Sequence, residues 1–151
     1  MQDTNTISVL ENLLETVENG RLGFAEAAQM LDDHGDMDLA AEMRELSQQR
    51  LRIANELRDL AAAEGATLGD QGEGTVAGSL HRSWMALKDA VSDGPHAVLA
   101  AAEQGEDHAV TEYEQAIQED LPASILPIVE RQAGEVRTAH DRVRRLRDQT
   151  E

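Results

Sequence analysis

Apolar residues recur at alternating steps of three and four along four long stretches of the chain. The first stripe is Ile7, Leu10, Leu14, Val17, Arg21, Phe24, Ala28 and Leu31. The second is Leu39, Met43, Leu46, Arg50, Ile53, Leu57 and Leu60. The third is Leu99, Glu103, Glu106, Val110, Tyr113 and Ile117, and the fourth runs from Ile125 through Val129, Gln132, Val136, Ala139 and Val143 to Leu146. This step keeps one face of a helix turned toward its neighbours. It predicts long helices over about residues 5–31, 38–64, 95–119 and 124–148. No segment alternates with a period of two, so no strand is expected.

The punctuation agrees with these spans. Asp32, Asp33, Gly35 and Asp36 make a short turn after the first helix, and Gly65 is placed to end the second. Pro95 suits the first position of the third helix, and Pro122 stands just before the fourth. From Gly65 to Gly78 the chain carries five glycines, at 65, 69, 72, 74 and 78, which read as a connection. No strand precedes them and no Lys-Ser or Lys-Thr follows, so they are not a phosphate loop. A shorter helix over about 76–91 carries Leu80, Trp84, Leu87 and Val91 on one face. His81 beside Trp84, the sole tryptophan, marks a candidate small-molecule or metal site under this crossover.

A turn of about six residues makes the first two helices antiparallel neighbours. The thirty-residue connection can span the length of the others, so that the third helix runs parallel to the second. The expected fold is all-α, a four-helix bundle with a long helical crossover, in one domain over residues 1–151.

Charged residues inside the stripes change the picture. Glu103 and Glu106 fall where apolar residues are expected, as do Arg21 and Arg50. Buried carboxylates are costly unless a cation meets them. Counting along the helices brings Glu18, Arg50, Glu106, Glu135 and His140 to one level, with Glu106 opposite Arg137 and Glu103 opposite His140. Two chemistries follow. Arg50, with Arg21 or Arg137, neutralises Glu18, Glu103, Glu106 and Glu135 as a central polar network. Alternatively Glu106 and His140, with Glu18 or else Glu103 or Glu135 as the third ligand, hold iron or manganese. His34, His96 and His108 read as ordinary surface residues.

Composition narrows the function classes. The formal charge is −17, which makes nucleic acid and anionic membranes poor partners. Residues 124–151 hold six arginines against five acids, so the acid excess lies in the other helices. There is no cysteine, so thiolate chemistry and disulfides are excluded. No apolar run is long enough to span a membrane, and MQDTNTIS at the start lacks the pattern of a secretion signal. A soluble, cytoplasmic protein is expected. No nucleophile arrangement or cleft pattern points to catalysis.

Several separated segments resemble a bacterial family of small ferritin-like four-helix bundles of unknown function. They are EQGEDHAVTEYEQAI at 103–117, GSLHRSW at 78–84, the pair Gln49 and Arg50, and EVRTAHDR at 135–142. The resemblance runs from about Ile7 to Asp148 and implies a ferritin-like fold. Di-iron members of the wider superfamily carry one Glu on helices one and three and Glu-x-x-His on helices two and four. Glu18 and Glu106 match the single-Glu positions. Helix two departs, with Arg50 and Ile53 at the ligand positions. Helix four keeps His140 but has Arg137 three residues before it, and Glu135 lies five before. The resemblance implies the fold but brings no established activity; the favoured reading of these residues is a non-catalytic bundle whose di-metal site is replaced by an arginine–carboxylate network. The alternatives are a metal-binding protein in stress or metal handling, and an interaction module or homodimer.

Overall fold

The computed structural model describes residues 4–68 and 82–150. Among them are five α-helices and no strand: α1 (Thr4–Asp33), α2 (Met37–Ala63), α3 (Ala86–Ala90), α4 (Pro95–Ala116) and α5 (Leu126–Gln149). The four long helices fall within a few residues of the expected spans. The expected crossover helix over 76–91 differs. Its described part is a 3-10 turn at Arg82–Trp84 followed by the short α3. His81 lies outside the described residues.

Local chemistry sets the ends. Asp36 caps α2 by accepting from the backbone N–H of Leu39 at 3.3 Å. Gly35, Gly65 and Gly94 take positive φ at the breaks, with φ of 80°, 86° and 95°. Pro95 opens α4, and a proline also stands in the first turn of α5.

Cross-contacts give the helix directions. The Ser47 hydroxyl donates to the Arg21 carbonyl and Arg44 pairs with Asp32, so α1 and α2 are antiparallel. Glu103 meets Arg147, Asp107 meets His140 and Tyr113 meets Gln132, so α4 and α5 are antiparallel. Glu42 meets Arg142 and Glu56 meets Gln132, so α5 is antiparallel to α2 as well. It follows that α2 and α4 are parallel. His34, in the turn before α2, reaches the Val91 carbonyl just before α4 at 2.9 Å, which sets the two starts at one end.

The buried apolar residues form two clusters. One gathers Leu10, Leu14, Val17, Ile53, Leu57, Tyr113 and Val136; the other gathers Phe24, Met43, Leu46, Trp84, Leu87, Leu99 and Val143. The break between them falls at one level on every long helix. It lies between Val17 and Phe24, Leu46 and Ile53, Ala102 and Ala109, and Val136 and Ala139. A polar layer fills that gap. No described helix is long and apolar enough to cross a membrane.

Candidate functional site

Arg50 projects from the middle of α2 into this gap and is fully buried, as is Glu106 on α4. Its Nη1 donates to Glu106 Oε1 at 2.6 Å and its Nη2 to Oε2 at 2.5 Å. Nε donates to Gln49 Oε1 at 3.2 Å. The planar fork of guanidinium matches the carboxylate in a bidentate pair, the strongest form of this contact. The guanidinium carbon also lies 5.2 Å from the centre of the Phe24 ring, a cation–π contact. Backbone approach makes room for it. A Cβ on Gly20 of α1 would stand 3.1 Å from Arg50 Nη1.

Trp84 fills the next position along the same groove. It is 2% exposed and meets Phe24 edge-on, with ring centres 5.0 Å apart and planes at 70°. Gly23 on α1 and Gly105 on α4 flank the indole. A Cβ on Gly23 would lie 2.2 Å from Trp84 Cδ2, and one on Gly105 would lie 2.4 Å from Cε2. The crossover is thus wedged between two helices that glycine has cleared. Trp84 packs into the core cluster with Phe24, and its candidate partner His81 lies outside the described residues. Sequence reasoning passed over Gly20, Gly23 and Gly105. Their signal was present, since glycine inside a helix costs about 1 kcal/mol relative to alanine and needs a packing reason.

The remaining charged residues disperse from the centre. Glu18 is buried but is held by Arg21 of its own helix, at 3.2 and 2.9 Å, with Arg58 of α2 at 3.9 Å. Glu103 is buried against α5, where Arg147 takes Oε1 and Arg144 donates to Oε2 at 3.1 Å. Glu135 and Arg137 do not join the central network. Glu135 pairs with Arg131 at 2.8 Å and Arg137 with Glu114 at 2.9 Å, on the outer side of α5. Gln132, Val136, Ala139 and Val143 occupy the inward face of that helix instead.

His140 is buried near Glu103, not near Glu106. Its Nε2 lies 2.6 Å from Asp107 Oδ1 and 3.9 Å from Glu103 Oε2, and its Nδ1 lies 3.1 Å from Asp141 Oδ1. The hydrogen bond to His140 holds the Asp141 carboxyl below its usual range. The expected ligand set Glu18, Glu106 and His140 is therefore not assembled. Among the described residues, the three-residue grouping whose His, Asp and Glu donor atoms converge is Glu103, Asp107 and His140.

A hydrogen-bonded chain continues the polar layer. The Tyr113 hydroxyl donates to Gln132 Oε1 at 2.8 Å, and Gln132 donates to Glu56 Oε1 at 2.7 Å. Burial pushes the Tyr113 phenol well above the ordinary tyrosine range, with the charge of Arg50 acting in the opposite sense. An unfolded chain releases this proton near pH 10 and the folded chain does not. Above about pH 10 the unfolded state binds fewer protons, so stability falls as pH rises. Tyr113 is the sole tyrosine. Phenolate absorbance is therefore expected to rise only as helical circular dichroism is lost. Ionisation near pH 10 with the helices intact would contradict this.

The fold and the layer define an all-helical domain with an arginine–glutamate pair at its centre. A family model for a domain of unknown function (DUF2383) matches residues 5–119, and the chain belongs to that family. The match spans α1 to α4, and so includes Arg50, Trp84, Gly105 and Glu106. No curated protein matches the chain.

Proposed function

We infer that the protein is a ferritin-like four-helix bundle that carries out no metal chemistry at its centre and serves as a non-catalytic helical scaffold. The ferritin-like reading rests on α2 and α4 running parallel, joined by a long connection, with α1 and α5 antiparallel to them. In such a bundle the metals lie between the helices at mid-length. The observation that carries the functional reading is the Arg50–Glu106 pair. A di-metal centre does not fit these residues. Both Glu106 oxygens are engaged by a group that stays positive at every working pH, in the space cations would need. Glu18 is likewise neutralised by Arg21 and Arg58.

The test is elemental analysis of protein carrying Asp107→Asn, expressed without a His tag in medium with added iron and manganese, after gel filtration. This exposed substitution leaves the centre intact while disabling the grouping around His140. No metal above background is expected. Stoichiometric iron or manganese in this variant would overturn the reading.

A further inference from the structure

We propose that Glu103, Asp107 and His140 form a binding site for a divalent transition-metal ion at the α4–α5 edge, separate from the closed centre. Glu103 and Asp107 stand one turn apart on α4, so both reach the same side of that helix. His140 faces them from α5. One donor atom from each lies within 4.8 Å of the other two, a spacing that an ion with bonds of about 2 Å can draw together.

The surroundings of the imidazole separate this site from a plain acidic patch. Carboxylates stand at both ring nitrogens, Asp141 at Nδ1 and Asp107 at Nε2. In the tautomer whose Nδ1–H donates to Asp141, Nε2 presents its lone pair toward Asp107 and Glu103. A lone pair 2.6 Å from a carboxylate oxygen needs a positive species between them. A proton meets that need at the observed spacing, and a metal ion meets it once the exposed Asp107 side chain moves back by a few tenths of an ångström. A carboxylate behind a ligating histidine is the arrangement that fixes its tautomer and raises its basicity.

Access and rigidity also fit. The His140 and Glu103 side chains are 7% and 10% exposed and are fixed by packing, whereas that of Asp107 is 63% exposed and opens the site to solvent. One nitrogen and two carboxylates suit zinc, manganese or ferrous ion; calcium and magnesium prefer oxygen alone. Two arginines compete for Glu103. Arg147 holds Oε1, and Arg144 holds the Oε2 atom nearest His140. The Arg144 side chain is 52% exposed and free to swing into water when an ion takes its place.

The experiment is calorimetric titration of the full chain with zinc, with the visible spectrum of the cobalt(II) form as a second readout. One ion per chain is expected. Asp107→Asn and His140→Gln should each weaken binding more than tenfold, and Asp141→Asn about tenfold. Arg144→Gln should tighten it, because a competing cation is removed. A purely structural ion-pair cluster has no reason to gain metal affinity from that change. His108→Gln should leave binding unchanged, since His108 pairs with Glu112 instead. If His140→Gln fails to fold, the exposed Asp107→Asn decides the matter. No zinc binding at micromolar concentration, binding unaffected by Asp107→Asn, or loss confined to His108→Gln would each overturn the proposal.

Discussion

Replacing Arg50 with methionine is expected to lower the unfolding free energy by about 3–5 kcal/mol. Glu106 would then keep its place between α2 and α4 with no cation on either oxygen. Burial of that charge, formerly offset by two hydrogen bonds at 2.6 and 2.5 Å, becomes uncompensated. Methionine fills much of the aliphatic volume, so the loss reports the charge more than a cavity. The contact with Phe24 is lost as well. Denaturant melts followed by helical circular dichroism measure this. An unchanged midpoint would mean that the pair is solvated in solution and does not bear on the fold.

The second large effect belongs to the crossover wedge. Trp84→Ala is expected to cost about 3–5 kcal/mol, because the indole fills a slot whose walls are helix backbone and cannot collapse. Gly105→Ala should cost about 1–3 kcal/mol or more, by driving a methyl into the indole from α4. The two changes share one volume, so they are expected to be non-additive. A Gly105→Ala, Trp84→Leu double variant should recover part of the summed loss, since leucine retreats from the new methyl. Trp84 is the sole tryptophan, so its emission reports the slot directly. Independent costs for the two substitutions would show that the indole lies elsewhere.

The helices were legible because their stripes and breaks are strong. Asp36, Gly65 and Pro95 act where turn and cap chemistry places them. The level of the polar layer was legible too. Counting along parallel helices put Arg50 and Glu106 at one height, where the bidentate pair is found. Rotation about each helix axis was not legible. Glu103 and Glu106 are three residues apart, an offset of about 60° around α4 that is enough to carry them to different neighbours. Glu106 therefore turns to α2 and Glu103 to α5, and they meet different arginines. On α5 Gln132 faces in, as its place in the stripe predicts, but the same uncertainty concealed that Arg137 and Glu135 face outward. A stripe of threes and fours names the residues near a seam but not which neighbour each one meets.

Close approach was the other omission. Gly20 and Gly23 on α1 and Gly105 on α4 lie inside strongly periodic helical stretches, where large side chains dominate the pattern. Their importance depends on what enters from a different helix and from the crossover. Asp107 was missed for a related reason. It lies outside the apolar stripe, and only the packing of α5 brings His140 within 2.6 Å of it.

One ion pair closes the middle of this helical domain, and a double-mutant cycle on Arg50 and Glu106 tests that most directly. Arg50→Met, Glu106→Leu and the double variant would be unfolded in denaturant alongside the parent. Each single change is expected to be costly, and the double variant is expected to regain most of the loss, with a coupling of about 2–3 kcal/mol. Additive costs, with no recovery in the double variant, would contradict the claim.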